Sequence, residues 1–443
     1  MPVDPVRDAA IDVLLRVFER GVYLDVSLDK TLRRKSVGDR GRRFLTNLVY
    51  GTVRHRRLAD HALRAICHQP LEKLPLPILT VLRMAVYQSL FASQVTHPAM
   101  VHTSVDLAKR RGHAGTARLV NAVLRRAPRS LEDVKLPSRE TDFAGYLGVR
   151  YSLPEWLVAL WRAEHGDAAA EALAAASCEQ APTSLRANTL KTTADDLIAS
   201  LAASGVVASK ATAVPEEVTL AEGLPPTRTK WFQEGHFMVQ DAASMLPAHL
   251  LEPRAGESVL DLCAAPGGKA THLAQLAGDA ARIVAMDRGR YRLDRVLENA
   301  ERLGLRGVHA VCGDGATPPF WGGFGRVLVD APCSGLGTLR RHPDLKWRIQ
   351  ENDLSELASI QGVLLRSARE LCQNGGLIVY SVCTFTRRET RDVVADVLRE
   401  GGLEAEDGPE FLDRWKIARG QYQTLPSSEA LDGFFLTRLR KVS

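Results

Sequence analysis

The chain has 443 residues, of which 45% are hydrophobic, and this length exceeds what one hydrophobic core usually holds. Its net charge is +6, and its seven cysteines include no CxxC pair, which argues against a disulfide framework or a zinc ribbon. The sequence shows neither a signal peptide nor an apolar run of about 18 residues. We therefore predict a cytoplasmic, monomeric protein of two or three domains, with no metal and no membrane partner.

Basic residues are concentrated in the first third of the chain. Residues 1–150 contain 26 Lys and Arg against 14 Asp and Glu, a net charge of +12, whereas the rest has 32 against 38, a net of −6. A solvated helix surface is the alternative explanation, but few acids interleave, and such fields attract phosphate backbones. We predict nucleic-acid contacts for nine residues in the densest stretch: Arg33, Arg34, Lys35, Arg40, Arg42, Arg43, Arg54, Arg56 and Arg57.

Apolar spacing divides the chain into three predicted domains. Spacing of i, i+3, i+4 predicts helices over 5–20, 40–66, 77–92 and 98–126, so the first domain is expected to be all-helical. A mixed region follows, with helices in LPEWLVALWRAEHG and DAAAEALAAASCE and strands in PTSLRANTLK and EEVTLAEG. Apolar runs then alternate with helices, which is typical of a parallel sheet with helices on both faces. The predicted boundaries are 1–140 (all-α), 141–235 (small α/β) and 236–443 (α/β).

Five strands are predicted in the third domain: SVLDL, RIVAMD, VHAVCGD, RVLVDAPC and GGLIVYSVC. Asp287, Asp314 and Asp330 stand at the ends of three of them, and Cys333 and Cys383 stand at the ends of the last two. Open parallel sheets bind ligands beyond the carboxyl ends of their strands. The sequence therefore predicts a single site that collects these acids and thiols.

The loop CAAPGGK after the first of these strands discriminates among nucleotide chemistries. A P-loop is excluded because Cys263 stands where its first glycine should be and Ala270 where Ser or Thr should follow the lysine. GxGxxG is also absent, which argues against a nicotinamide-dependent oxidoreductase. We predict a loop around the methionine moiety of S-adenosylmethionine, formed by Cys263, Ala264, Ala265, Pro266, Gly267, Gly268 and Lys269.

The three acids complete the predicted cofactor site. Asp287 is placed to accept both ribose hydroxyls, Asp314 to meet the adenine amino group, and Asp330 to border the pocket. Asp287 and Asp314 could alternatively cap the helices that follow them. Two cysteines beside such a pocket suit attack on a pyrimidine, whose C5 becomes nucleophilic only after a thiolate adds to C6. We interpret the site as that of a pyrimidine C5 methyltransferase, and the residues alone leave open which sulfur attacks.

Five motifs resemble the NOL1/NOP2/Sun family of RNA cytosine-5 methyltransferases: DLCAAPGGK, DAPCSGLG, LRRHPDLKW, the Tyr-Ser-x-Cys strand and DGFFLTRL. The segments DRGRRFLTNLVYGTVR, LRMAVYQSLF and LVNAVLRR resemble the NusB-like RNA-binding domain of the bacterial members that act on 16S rRNA. The resemblance covers nearly the whole chain. It implies a NusB-like all-α domain, a small α/β domain and a Rossmann-like methyltransferase domain that uses S-adenosylmethionine.

The resemblance also implies roles for individual residues. Cys383 would attack C6, Cys333 would assist loss of the C5 proton and release of the enzyme, and Asp330 would hydrogen-bond the cytosine edge. Lys269 would position the base or the cofactor. One departure is Val382, where many members have Thr before the nucleophile.

Several alternatives remain open at this stage. The two thiols could simply be buried at strand ends, and the protein could be an RNA-binding factor with a degenerate catalytic domain, although no catalytic residue is missing. A DNA methyltransferase would place the nucleophile on the Pro-Cys motif. The RNA could also be tRNA or large-subunit rRNA, and 16S rRNA could be bound naked or within an assembling small subunit.

Overall fold

A computed structural model describes residues 4–34, 38–222, 226–428 and 431–443, and the chain forms two compact units. The first unit comprises Met1–Glu179 and Leu339–Ile349, and the second comprises Gln180–Thr338 and Gln350–Ser443. The predicted domain boundaries after residues 140 and 235 stay predictions. No helix among the described residues is long and apolar enough to cross a membrane.

The first unit is helical, as predicted. Helix α5 lies at its centre and is apolar on all sides, so nearly every side chain from Ile78 to Gln88 is buried. The one basic residue in this helix, Arg83, is paired with Asp60 through two hydrogen bonds of 2.6 and 2.8 Å. The helices of this unit before residue 180 are α1 (Pro5–Arg20), α2 (Leu24–Arg34), α3 (Asp39–Arg54), α4 (Arg56–Ile66), α5 (Leu76–Phe91), α6 (His97–Arg111), α7 (Ala114–Leu124), α8 (Phe143–Arg150) and α9 (Glu155–Ala176).

Two of the predicted helices are each divided in the structure, which corrects the prediction from sequence. The predicted helix over 40–66 is broken at His55, and the one over 98–126 is broken at Gly112. Apolar spacing continues across both breaks, so periodicity alone did not reveal them. His113 restarts the second segment with a capping box that involves Thr116. Helix α2 was not predicted.

The segment Leu339–Ile349 belongs to the first unit although it lies between strands of the second in sequence. The Trp347 indole N–H donates to the carbonyl of Val53 (3.1 Å), and Asp344 accepts a bond from the Leu24 N–H (3.3 Å). The buried Lys346 donates to the carbonyl of Tyr151 (3.1 Å). The motif LRRHPDLKW therefore forms part of the core of the helical unit.

The second unit begins with a small antiparallel sheet of order β2-β3-β1-β4, whose neighbouring strands pair antiparallel. Sequence analysis predicted two of these strands and not the short edge strands. Helix α10 packs on the sheet, with Leu197 and Leu201 buried. The elements are β1 (Thr183–Ala187), α10 (Ala194–Ala202), β2 (Val207–Lys210), β3 (Glu217–Glu222), α11 (Lys230–Gln233) and β4 (Phe237–Val239).

A larger sheet follows, of order β11-β12-β13-β9-β8-β5-β6-β7, with β10 paired to β13. Strands β5 to β9 are parallel, and β5 has β8 on one side and β6 on the other, so the strand order reverses there. The elements from here to the end of the chain are α12 (Leu246–Leu251), β5 (Ser258–Asp261), α13 (Gly268–Leu276), β6 (Arg282–Asp287), α14 (Arg290–Leu303), β7 (Val308–Cys312), β8 (Phe324–Asp330), α15 (Leu345–Arg348, part of the first unit), α16 (Asp353–Leu371), β9 (Cys372–Val382), α17 (Arg391–Arg399), β10 (Leu403–Ala405), β11 (Lys416–Ala418), β12 (Gln421–Thr424) and β13 (Phe434–Lys441).

The five predicted strands form a parallel sheet, and antiparallel strands that were not predicted extend it after β9. Strand β13 pairs antiparallel with β9, and β12 and β10 pair antiparallel with β13. The predicted α/β Rossmann-like architecture is confirmed for the remaining strands, with separate apolar cores on the two faces of the sheet. The reversal of order at β5 creates a crevice beyond the carboxyl ends of β5 and β8.

Candidate active site

The glycine-rich loop, residues 262–268, leaves the carboxyl end of β5 and enters α13. The Ala264 N–H donates to the carbonyl of Met286 at 2.7 Å, which ties the loop to β6. Gly267 has a φ of +101°, and a Cβ there would lie 3.0 Å from the Cα of Val296. Both the backbone angle and the close approach therefore require glycine at this position.

Asp287 is the last residue of β6, and Asp314 stands two residues after the end of β7. Asp287 is buried, and its two oxygens accept bonds from the N–H groups of Gly289 (2.9 Å) and Ala265 (3.3 Å). Asp314 is partly exposed and accepts a bond from the Ala316 N–H (3.0 Å). The N-cap of α14 is Gly289, so Asp287 does not occupy the capping position of the following helix.

Lys269 and Asp330 form an ion pair at the crevice. The ammonium donates to Asp330 Oδ2 at 2.7 Å, and the Ser381 hydroxyl donates to Oδ1 at 3.1 Å. Burial lowers the pKa of Lys269, but the charge of Asp330 outweighs it and the net pKa is raised, so the amine is charged. The Phe434 ring lies 5.4 Å from this ammonium. Ser381 and Phe434 were not predicted as site residues.

The two predicted cysteines meet at this ion pair. Cys383 follows the last residue of β9, Cys333 stands three residues after β8, and their sulfur atoms are 3.2 Å apart. The hydrogen bond with Cys383, together with burial, raises the pKa of Cys333 well above its usual value. Either sulfur can donate in this contact, and the raised pKa of Cys333 favours the form in which Cys333 keeps its proton.

The terminal DGFF motif supports the loop that carries Cys333. The Gly337 N–H donates to the carbonyl of Cys383 (3.0 Å), and the Gly433 N–H donates to the carbonyl of Gly337 (2.8 Å). A Cβ on Gly337 would lie 1.8 Å from the Gly433 oxygen, so no side chain fits between these segments. Three separate stretches of sequence therefore converge on the pair of thiols.

Asp261, at the end of β5, is a further carboxyl group of the crevice that sequence reasoning missed. It is fully buried, and among the described residues no side chain donates to its two oxygens, which only the Cys263 backbone N–H approaches. Burial, reinforced by the charge of Asp330, raises its pKa to about 8. The side chain is therefore largely protonated at neutral pH.

The small sheet supports the glycine loop through Arg186 on β1. This arginine is fully buried and donates to the carbonyl of Gly268 (2.6 Å) and the hydroxyl of Thr271 (3.0 Å), and also to Gln240. Burial lowers the pKa of Arg186 to about 9. The first turn of α13 is thus held by a residue from a strand that is distant in sequence. The spacing of residues along the chain could not have predicted this contact.

The nine predicted RNA contacts fall into two groups, apart from Lys35, which lies outside the described residues. Arg33, Arg34, Arg40 and Arg43 are exposed, and the last two line a surface cavity of about 540 Å³. The other four make contacts within the helical unit. Arg42 donates to the carbonyl of Leu32, Arg54 to that of Arg340 and Arg57 to that of Leu153, and the Arg56 guanidinium lies over the rings of Phe18 and Trp347.

Two further groups carry chemistry-bearing side chains. Burial raises the pKa of Cys263, whose side chain packs against the core of the sheet. Glu216 accepts bonds from the imidazoles of His249 (2.8 Å) and His272 (2.7 Å), and burial lowers the pKa of His272 to about 3. The three could hold a cation geometrically, but these separations are those of ordinary hydrogen bonds.

A Rossmann-like sheet with a glycine loop, two acids and two thiols at its switch point defines a methyltransferase domain. The sequence profile of the family described as 16S rRNA methyltransferase RsmB/F matches residues 248–440. The NusB family profile matches residues 4–129, and that of the RsmF/B-like ferredoxin-like domain matches 153–227.

Known proteins are similar to this chain over nearly its full length. The chain is 34% identical to the probable ribosomal RNA small subunit methyltransferase B of Bacillus subtilis over 98% of both chains. It is 35% identical to that of Synechocystis sp., covering 98% of this chain and 99% of the relative. The crystal structure of PH0851 superposes over all of both chains with a TM-score of 0.83 and 26% identity. The chain belongs to the RsmB/F family of 16S rRNA methyltransferases and is an S-adenosylmethionine-dependent rRNA methyltransferase.

Proposed function

We propose that this enzyme transfers a methyl group to C5 of a cytosine in 16S rRNA, through a covalent bond between Cys383 and C6 of the base. The observation that carries this proposal is the 3.2 Å separation of the Cys333 and Cys383 sulfurs beside the Lys269–Asp330 ion pair. Two thiols in contact serve a reaction in which one sulfur must add and later leave. Relatives at 34–35% identity are described as small-subunit rRNA methyltransferases, which supports the choice of RNA.

The residues of the crevice fit S-adenosylmethionine. Asp261 presents two buried oxygens to which no described side chain donates, and the backbone at Gly268 has room for a ligand. Asp287 is oriented by two backbone N–H groups, so that it can accept ribose hydroxyls without rearrangement. Asp314 is more exposed and would meet the adenine. When bound, the cofactor supplies an electrophilic methyl group.

The charges around the two sulfurs support attack by Cys383. The Lys269 ammonium interacts with the sulfur of Cys383, whereas the raised pKa of Cys333 favours its keeping the proton. Cys383 therefore reacts as the thiolate that bonds to C6, and the electron pair of C5=C6 moves toward C5. Asp330 hydrogen-bonds the ring edge and favours the protonated ring nitrogen. Val382 is buried in the strand and brings no hydroxyl to this step.

Release of the enzyme requires the bond between Cys383 and C6 to break. Cys333 gives its proton to the departing sulfur of Cys383 and takes the proton from C5, while the electrons of the C5–H bond restore C5=C6. The C6–S bond breaks in the same step, so both cysteines end as thiols. The target cytosine must be unstacked to reach these groups. The exposed Arg33, Arg34, Arg40 and Arg43 are proposed to bind the phosphate backbone of the RNA. The enzyme is proposed to act in the cytoplasm, where ribosomes assemble.

The experiment is a transfer assay with methyl-labelled S-adenosylmethionine, followed by nucleoside analysis. Naked 16S rRNA, free small subunits, 23S rRNA and tRNA are supplied in parallel. We expect label in 5-methylcytidine from 16S rRNA, either naked or in the subunit, and bisulfite mapping of that RNA gives the position. Label in another nucleoside would contradict C5 chemistry, and label in tRNA or 23S rRNA alone would contradict the proposed substrate.

A further inference from the structure

Glu389 is a fully buried carboxylate just beyond the two thiols. Its Oε1 accepts bonds from the Ser334 N–H (2.8 Å) and the Gln361 amide (3.1 Å). Its Oε2 is met by the hydroxyls of Ser334 (2.6 Å) and Thr386 (2.9 Å). These four partners are neutral, and the two N–H donors require Oε1 to accept. The carboxyl group of Glu389 is therefore buried and held by four hydrogen bonds to neutral groups, with no cationic partner among them.

This carboxylate joins the segments that carry the two sulfurs. Ser334 follows Cys333 directly and donates to Glu389. Gln361, which also donates to Glu389, donates to the carbonyl of Pro332 (2.9 Å). The residues on both sides of Cys333 are therefore linked to Glu389 by hydrogen bonds. On the other segment, Tyr380 lies three residues before Cys383, and its hydroxyl donates to the backbone carbonyl of Glu389 (2.7 Å). Loss of the carboxylate would remove the bonds from Ser334 and Gln361 that hold the Pro-Cys turn in place, while the backbone bonds from Ala331 and Gly337 to the end of β9 remain.

The charge of Glu389 is also placed unequally between the thiols. Besides the Cys383 hydrogen bond and burial, the charge of Glu389 raises the pKa of Cys333. Tyr380 faces the same sulfur as a neutral phenol, because burial raises its pKa well above the usual value. On the other side, Lys269 and Asp330 face Cys383. The carboxyl group of Glu389 therefore adjoins Cys333, whereas Cys383 adjoins the Lys269–Asp330 ion pair.

We propose that Glu389 is a positioning residue of the active site: it fixes the Pro332–Ser334 turn against β9, and its charge keeps the proton on Cys333. Of the two sulfurs in contact, Cys333 is then the one that keeps its proton, which leaves Cys383 as the nucleophile. The assignment of Cys383 as nucleophile rests on the proposed function, whereas the protonation order is a property of the unliganded enzyme. Glu389 acts through Cys333 and does not touch the base.

The test measures alkylation of each thiol by iodoacetamide against pH, with the modified cysteine located by mass spectrometry. In the otherwise unchanged enzyme, Cys383 should react at lower pH than Cys333. Faster reaction of Cys333 would overturn the proposal without any variant at position 389. The Cys333 midpoint is then measured alone in a Cys383→Ala background, which removes the coupling between the sulfurs.

In that background, Glu389→Gln keeps the size of the side chain and removes its charge, and it should lower the Cys333 midpoint by on the order of one pH unit. Glu400→Gln, at an exposed carboxylate paired with Arg366, is the charge-matched control and should leave the midpoint unchanged. With Cys383 restored, Glu389→Gln should lower kcat about tenfold and leave KM for RNA nearly unchanged. Thermal unfolding checks that each variant is folded.

Failure of this proposal is distinguishable from failure of the proposed function. An unchanged Cys333 midpoint in folded Glu389→Gln overturns the role of Glu389, even if Cys383 proves to be the nucleophile. Conversely, if Cys333 proves to be the nucleophile in covalent-adduct assays, the midpoint shift at Cys333 is still expected. If Glu389→Gln does not fold, the order of alkylation in the enzyme with Glu389 in place decides the matter.

Discussion

Asp261 shows how a single buried carboxyl group links stability to pH. Its folded-state pKa of about 8 lies far above the value of 3.8 expected for an exposed aspartate, because burial disfavours the charged form. Above about pH 4 the unfolded chain loses this proton while the folded protein keeps it. The contribution of Asp261 to the free energy of unfolding therefore declines as the pH rises from about 4 to about 8.

We predict that Asp261→Asn stabilises the cofactor-free protein at pH 7 by on the order of 1–4 kcal/mol, since the amide cannot ionise in either state. The gain should be small at pH 4 and should grow toward pH 8. Urea unfolding at several pH values measures it. Asp294→Asn, on the exposed side of α14, is the control. A gain that is the same at pH 4 and pH 8 would contradict the origin assigned to it.

At the scale of elements, the glycine loop contains two adjacent glycines with different roles. Gly267 is required by the backbone conformation, and Gly268 is expected to be required by the bound ligand. Gly267 has a φ of +101°, in the left-handed region, and a Cβ built on it would lie 3.0 Å from the Cα of Val296. Gly268 has no such angle, and a Cβ there would meet only the Gln240 side chain, at 3.7 Å. The two glycines are adjacent but should respond differently to the same substitution.

Gly267→Ala should lower the free energy of unfolding by about 1–2 kcal/mol, because alanine is strained at this angle. Gly268→Ala should leave unfolding nearly unchanged and should weaken S-adenosylmethionine binding at least tenfold, since its methyl group would enter the space of the ligand. Denaturant unfolding and calorimetric titration separate the two effects. Equal stability of the two variants would show that the loop is not strained at Gly267, and normal cofactor affinity in Gly268→Ala would place the cofactor elsewhere.

The elements show which features could be predicted from sequence. The strands that end at Asp287 and Asp330 were predictable, because each apolar run ends at a polar residue before a helix. The antiparallel return of β13 was not, since its pairing with β9 joins segments far apart in the chain. The roles of Arg186 and Glu389 were equally hidden, because each depends on partners from distant elements.

At the scale of the whole molecule, charge is divided between the two ends of the chain. The +12 of residues 1–150 follows from sequence, but which arginines remain exposed could be learned only from the fold. Deleting residues 1–140 would not isolate this effect, because the helical unit continues to Glu179 and includes Leu339–Ile349. Substitution of exposed charges is the cleaner design.

The double variant Arg40→Gln, Arg43→Gln should weaken RNA binding and reduce the slope of log affinity against log salt by up to about 1.8, about 0.9 for each phosphate that is no longer neutralised. The control Arg391→Gln, Arg399→Gln removes the same net charge from exposed positions of α17. Its slope should stay close to that of the unchanged enzyme. Equal slopes for both double variants would indicate a general charge effect and not a binding surface around Arg40 and Arg43.

The covalent mechanism is tested most directly by comparing the two cysteine variants on 16S rRNA in the presence of S-adenosylmethionine, with denaturing electrophoresis as the readout. Cys383→Ala cannot form the bond to C6, so we predict neither methylation nor a covalent enzyme–RNA band. Cys333→Ala can attack and accept the methyl group on the base but releases slowly, so we predict a band that survives denaturation and little turnover. A band with Cys383→Ala and none with Cys333→Ala would reverse the assignment, and methylation at the unchanged rate by both variants would contradict the mechanism.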